Sequence, residues 1–299
     1  MSLVPHATEL LFALGAGGDV YGVTHECDYP PEVDGLERLT RDVLPAGLGP
    51  AEIDAAVRER TLEGEAIYEL DREALAELEP ELIVTQALCP VCAVSFEEVT
   101  EIAKTLPSNP RVVSLDPKTL GETLADVRTL AQATGRERAG EALVQAAAAR
   151  IDAVARAVEG AGRPRVLALE WLEPVFVAGH WTPQLIELAG GEDVLGMPGE
   201  HSQEHGWETL RQTRAEVVVV MPCGYDAPRA REEASAYQRD LATLGATRAV
   251  AVDAAAYFSR PGPRLIDGLE LLGHILHPQR LPEAPAGTQA LELELTVRS

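Results

Sequence analysis

The feature that most constrains this chain is a recurring short apolar run. Ser2–Val4, Val20–Val23, Leu82–Thr85, Val112–Leu115, Val166–Leu169, Val217–Val220 and Ala249–Val252 are near-continuous in β-branched and aliphatic residues, with no apolar/polar alternation. That pattern belongs to parallel strands covered on both faces. Amphipathic stretches lie between them, among them Thr8–Leu14, Arg72–Leu78, Phe96–Leu106 and Pro183–Ala189. Strand, helix, strand in repetition predicts an α/β fold with right-handed crossovers.

The middle of the chain differs. From Thr119 to Glu159 it is rich in Ala, Leu, Glu and Arg, with Gly135 as the main break before Gly140. This predicts a helix to about Thr134 and a second one, of roughly 20 residues, ending at Gly160. At about 1.5 Å per residue the second spans roughly 30 Å, the width of a small domain. The expected layout is a first α/β lobe over 1–116, connecting helices over 117–162, a second α/β lobe over 163–281, and a tail over 282–299. A helical joint is stiffer than a loop, so large hinge closure is not expected. Leu291–Val297 alternates, as an edge strand with one wet face would; a frayed end fits equally well.

The charge balance narrows the partners. Lys and Arg number 25 against 48 Asp and Glu, a net charge of −23 over 299 residues. A surface that acidic repels phosphate backbones and anionic lipid, which argues against nucleic acid and membrane surfaces. No apolar run reaches the roughly 18 residues of a membrane span. The first 20 residues show no basic segment followed by a long apolar one, so no secretory leader is read there.

Open parallel sheets bind ligands beyond the carboxyl ends of their strands. The unusual residues of this chain fall after such strands: Pro5-His6, Thr24-His25-Glu26-Cys27-Asp28-Tyr29, Gln86–Cys92, Glu170-Trp171, Gly179-His180-Trp181, Met221–Tyr225 and Tyr257-Phe258-Ser259-Arg260 through Arg264. With Trp207 these segments hold all three Trp and all four Cys. Loops of this kind suit a large, flat, partly apolar ligand. The expected contacts are His6, Cys27, Tyr29, Trp171, His180, Trp181, Trp207, Tyr225, Tyr257, Phe258, Arg260 and Arg264. Each has a plainer reading beside it. Trp171 and Trp181 also fit a core, Arg260 and Arg264 also fit surface ion pairs, and His274 and His277, late in a helix, read as structural.

Cys89-Pro-Val-Cys92 is a C-x-x-C motif, able to form a redox pair or share a metal. Cys27 and Cys223 follow other strands, so Cys27, Cys89, Cys92 and Cys223 form a candidate zinc set if they converge. Thiols that simply line the cleft are the other reading.

The quoted segments resemble the substrate-binding proteins of ABC importers for vitamin B12 and iron–siderophores, most closely the cobalamin-binding branch. The resemblance rests on Ser2-Leu-Val-Pro-His-Ala-Thr-Glu-Leu10, Gly22-Val-Thr-His-Glu-Cys-Asp-Tyr-Pro30, Pro80–Val84, the central helix, Leu188-Ala-Gly-Gly-Glu192 and Ser259-Arg-Pro-Gly-Pro-Arg264. It implies two Rossmann-like lobes with parallel sheets joined by one long backbone helix, the helical-backbone metal-receptor type. It further implies a corrinoid held between the lobes by aromatic contacts, no catalysis, and an ABC permease as partner. Two other functions are weighed: a haem or ferric-siderophore binder, and a thiol- or metal-dependent enzyme using the cysteines with His25. No phosphate-binding loop, H-E-x-x-H or ordered Ser-His-Asp set supports a named reaction. A reduced C-x-x-C and no visible leader give a cytoplasmic expectation, with export as the alternative if a leader precedes this chain.

Overall fold

Ser2 is the seam of the first sheet: it bridges in parallel to Val23 on one side and to Val84 on the other. The computed structural model describes residues 1–45, 47–63, 65–87, 94 and 96–295. The chain divides into two units, Met1–Pro117 with Gly121–Val144, and Lys118–Leu120 with Gln145–Ser299.

In the first unit α1 (Pro5–Ala13) follows Ser2 at once, so the expected strand Ser2–Val4 shrinks to a single bridge. Pro5 is the reason: its fixed φ opens a helix, and Val4 stays extended as the cap. Strand β1 (Gly22–Val23) pairs in parallel with β2 (Glu37–Arg38). Strands β3 (Thr40–Asp42) and β4 (Tyr68–Leu70) pair antiparallel, with α2 (Pro50–Glu63) between them in sequence. Then come α3 (Arg72–Glu77), β5 (Leu82–Thr85), α4 (Phe96–Thr105) and β6 (Arg111–Ser114), with β5 parallel to β6 from Leu82↔Arg111 to Thr85↔Ser114. Adjacent residues Ile83 and Val84 enter different core clusters. Val84 packs with Leu10, Val113 and Leu130, and Ile83 with Leu75, Val99 and Ile102. Both faces of the strand are covered, which is why its sequence runs apolar without alternation.

Helices α5 (Leu120–Ala133) and α6 (Glu137–Val158) follow, α6 with 22 residues. In the second unit come β7 (Arg165–Leu172), β8 (Val175–Val177), α7 (Thr182–Leu188), β9 (Glu192–Asp193), β10 (Gln203–Glu204), α8 (Trp207–Gln212), β11 (Val217–Val220), α9 (Ala227–Ala236), α10 (Gln238–Thr243), β12 (Arg248–Val252), α11 (Ala254–Tyr257), α12 (Leu265–Leu276) and β13 (Ala290–Glu292). The strand order is β10-β8-β7-β11-β12-β13, with β9 also on β7. Strands β9, β7, β11 and β12 are parallel, whereas β8, β10 and β13 run antiparallel. This sheet is therefore mixed, where a parallel one was expected. Of the alternating tail only the start forms an edge strand, Ala290–Glu292 against β12, and Val297 lies outside the described residues. Arg150 on α6 clamps α12, with Nε and Nη2 donating to the two oxygens of Glu270 at 2.7 Å and Nη2 also to Asp267.

Candidate functional site

The carboxyl ends of β7 and β11 in the second unit carry an aromatic step. Trp171 meets Tyr225 edge-on, with ring centroids 5.5 Å apart. The Arg229 guanidinium lies over the Tyr225 ring, 3.8 Å from its centroid. Local chemistry fixes both ends of the step. The Trp171 indole N–H donates to the Glu173 carbonyl at 3.1 Å, and the Tyr225 carbonyl accepts from Ala254 and Ala255. Asp226 caps α9 by accepting from the Arg229 N–H at 2.8 Å, and Asp253 caps α11 in the same way from Ala256. Both strand-end aspartates are thereby committed to helix starts. Burial pushes the Tyr225 hydroxyl's pKa up, opposed by the Arg229 charge.

A second strand-end cluster surrounds Glu170. Its carboxylate accepts from the Ser202 hydroxyl, whose oxygen accepts from the Gly179 N–H at 3.2 Å, while burial pushes the Glu170 pKa above the usual carboxylate range. His180, next to Gly179, has a left-handed backbone (φ 50°). Its N–H donates to the Glu200 carbonyl at 2.6 Å and its carbonyl accepts from Gly199 at 2.9 Å. The His180 ring meets His201 edge-on, centroids 5.1 Å apart, and its pKa is lowered by burial, by His201 and by Lys118. Its Nε2 is enclosed without a partner among the described residues.

In the first unit the turn after β1 is tied down at several points. Cys27 N–H donates to the Thr24 carbonyl, and Arg38 Nη1 donates to the carbonyls of Thr24 and Cys27. His25 Nδ1 lies 2.7 Å from Thr40 Oγ1, which also accepts the His25 backbone N–H and sits 2.7 Å from Thr24 Oγ1. Tyr68 meets the imidazole edge-on at 5.0 Å and donates its hydroxyl to Glu26. Asp116 holds the ends of β5 and β6 together, accepting from the Ala87 N–H and the Ser114 hydroxyl. A cavity of about 890 Å³ beside β3 and β4 is lined by Arg38, Arg41, Arg60 and Arg72 together with Glu65, Glu69, Asp71, Glu73 and Glu98. Arg41 pairs with Glu69, Arg60 with Glu65 and Arg72 with Glu98. The cavity is thus charge-balanced rather than an anion trap.

The expected site residues sort into distinct environments. Trp171 is half-buried on the aromatic step, and Tyr29 is 44% exposed. Arg260 and Arg264 are half-buried in the loop before α12, with Arg264 5.9 Å from the Tyr257 ring centroid. His6, Tyr257 and Phe258 are buried. Trp181 is 5% exposed, and its indole donates to the Phe258 carbonyl at 2.8 Å. It therefore packs and locks α7 to the loop after α11. Trp207 stacks on Tyr237 and packs against the Leu210–Leu241 core cluster. Cys27 is 2% exposed, with Sγ 3.0 Å from Thr8 Oγ1 inside the first unit's core, so it too is a packing residue. Arg229, Glu170, Thr40 and Tyr68 were missed. Arg229 had a signal, since it stands four residues after Tyr225, where a helix start brings it back over the ring.

The zinc expectation finds no support. Among the described residues no group of three His, Cys, Asp or Glu is arranged to hold a metal. Cys27 belongs to the first unit and Cys223 to the second, and Cys89 and Cys92 lie outside the described residues. Among the described residues no helix is long and apolar enough to cross a membrane.

Comparison with known proteins places this geometry. The Vitamin B12-binding protein of Vibrio cholerae serotype O1 is 20% identical over 273 residues, covering 90% of this chain and 86% of that one. The apo structure of the periplasmic haem-binding protein RhuT from Roseiflexus sp. RS-1 superposes with a TM-score of 0.68 at 23% identity, over 93% of this chain and 97% of that one. The periplasmic vitamin B12 binding protein BtuF of Vibrio cholerae gives 0.66 at 19% identity, over 95% and 96%. These matches overturn the cytoplasmic expectation, because the proteins in question are periplasmic. That expectation leaned on a reduced C-x-x-C and on no leader being read in the first 20 residues, and neither fixes the compartment of the folded protein. Residues 2–256 match the family described as Periplasmic binding protein, and the chain belongs to that family.

Proposed function

We propose that this chain is the non-catalytic substrate-binding component of an ABC importer, and that its cargo is cobalamin or a related corrinoid. The observation that supports this reading is the Trp171–Tyr225 step, formed by the end of β7 and the turn after its parallel neighbour β11, where an open sheet receives its ligand. A half-buried indole braced by a buried tyrosine gives a flat apolar macrocycle a firm surface to lie on. Glu170, Ser202 and Arg229 stand close in sequence or in hydrogen bonding to that step and suit a rim of amide side chains. Likeness to vitamin B12-binding proteins over 90% of the chain supports the same cargo.

Haem is the second reading, favoured by the equal likeness to haem-binding structures. A visible-absorption titration with hydroxocobalamin, checked by equilibrium dialysis and run beside hemin, separates the two. Saturable one-to-one uptake of hydroxocobalamin is the expected result. Uptake of hemin alone moves the assignment to haem, and uptake of neither removes both readings.

A further inference from the structure

We propose that residues 199–202 form a pH-released strap: proton uptake by the His180 imidazole lets the segment lift from the end of β7 and frees the Glu170 carboxylate. The device lies wholly within the second unit and is independent of what the protein carries. The strap is held at three points. The His180 N–H donates to the Glu200 carbonyl at 2.6 Å, and the Gly199 N–H donates to the His180 carbonyl at 2.9 Å. The Ser202 hydroxyl accepts from the Gly179 N–H at 3.2 Å and donates to the Glu170 carboxylate. Two of these points depend on the backbone of one residue, His180, and its left-handed conformation (φ 50°) is uncommon for a residue with a Cβ. Gly179 beside it has no room for a Cβ against the Glu200 carbonyl. The strap and the Gly179–His180 turn are thus in backbone contact.

The ring of His180 is set against two aromatic neighbours. It meets His201 of the strap edge-on with centroids 5.1 Å apart, and Trp181 at 5.4 Å. Trp181 is itself fixed by its indole bond to the Phe258 carbonyl. The His180 Nε2 is enclosed without a hydrogen-bond partner among the described residues. A neutral imidazole tolerates this, because Nε2 can stay a bare lone pair. An imidazolium donates from both nitrogens, so protonation would bury an N–H and a charge with no acceptor. The charged groups acting on the ring are His201 from the strap and Lys118 from the segment before α5, and each disfavours a further positive charge. Burial acts in the same direction. Glu170, the carboxylate of the cluster, is spent on Ser202. Opening the strap gives the ring water on the His201 side. The closed strap favours the neutral ring, so its stability is complete above the ordinary histidine value of about 6.5 and declines as pH falls below it.

Hydrogen exchange of the full chain tests this, read amide by amide by NMR at pH 7.5 and pH 5.5 and corrected for the intrinsic rate. One proton taken up on opening raises the open population by at most about tenfold per pH unit, so protection of the Gly179, His180 and Gly199 amides should fall about tenfold across the interval. The Val194 and Met221 amides, bonded to the carbonyls of Val166 and Leu169, should keep their protection. His180→Asn should remove the fall, and asparagine accepts a left-handed backbone, so the turn is kept. His201→Gln keeps the His180 ring, removes the imidazole facing it, and should make the fall shallower. Equal protection at both pH values in the unmodified protein overturns the proposal, and so does a fall that persists undiminished in His180→Asn. If His180→Asn leaves the strap open at both pH values, His201→Gln decides: a shallower fall supports the switch, and an undiminished one overturns it.

Discussion

Trp171 near the end of β7 and Tyr225 in the turn that follows the neighbouring strand β11 meet with their ring planes at 66° and centroids 5.5 Å apart. The pairing divides labour. Tyr225 is 5% exposed and carries the Arg229 guanidinium over its ring, so it braces; Trp171 is only half-buried, so part of its indole stays open to solvent. Trp171→Ala should weaken hydroxocobalamin binding about tenfold, which is about 1.4 kcal/mol and near the value of one aromatic contact beyond its area. Trp171→Phe should keep most of the affinity. Equilibrium dialysis of the three proteins decides it, and equal affinities would take Trp171 off the binding surface.

Trp181 should behave differently, because its environment is a packed one. Trp181→Phe leaves the Phe258 carbonyl without its donor, at a cost of about 1–3 kcal/mol. Trp181→Ala adds a cavity, for a total of about 3–5 kcal/mol. Urea unfolding measures both. Stability unchanged in Trp181→Ala would show that the indole is not part of the core.

How much of this was legible follows from which residues speak in sequence. Leu82–Thr85 and Val217–Val220 are found as strands at the bounds predicted, because two-sided burial writes itself as a continuous apolar run. Thr40–Asp42 and Tyr68–Leu70 left no such trace: each has three residues, mostly polar, and their pairing depends on a partner 28 residues away. Helix α2 escaped for a related reason, since none of its residues is buried and no periodic stripe is needed. In the site, the strand-end rule located the segments but could not separate Trp171 from Trp181. Only the hydrogen bond from Trp181 to Phe258, 77 positions away, tells the packed indole from the presented one. The triad of Thr24, His25 and Thr40 was hidden likewise, because threonine carries no signal until its partner is known.

Gly179 lies where two backbones touch, and that contact sets the Glu170 environment. A Cβ there would meet the Glu200 carbonyl oxygen at 2.4 Å. Gly179→Ala should therefore cost about 2 kcal/mol or more, because backbone rather than a flexible side chain must move. Gly162→Ala is the control, since nothing lies within 4 Å of its added Cβ. Thermal unfolding of the pair should show a clear drop for the first and almost none for the second. Equal midpoints would mean that the 199–202 segment gives way freely.

Asp126 on α5 gives the chain a pH dependence of predictable sign. Its Oδ2 is enclosed without a hydrogen-bond partner among the described residues, and burial, Asp116 and Glu122 push its pKa up to about 7. A carboxyl whose folded value is raised favours the folded state when neutral. Its contribution is complete below the unfolded value near 4 and is lost as pH rises through about 7. Asp126→Asn keeps the shape and removes the charge. Relative to the unmodified protein, the variant should gain stability between pH 4 and pH 8, then level off. Roughly three pH units at about 1.4 kcal/mol each set an upper limit near 4 kcal/mol; solvent screening of this half-buried group reduces the expected gain to about 1–2 kcal/mol. Urea unfolding at pH 5 and pH 8 measures it. Parallel pH profiles for the two proteins would mean that Asp126 ionises as freely in the folded chain as in the unfolded one.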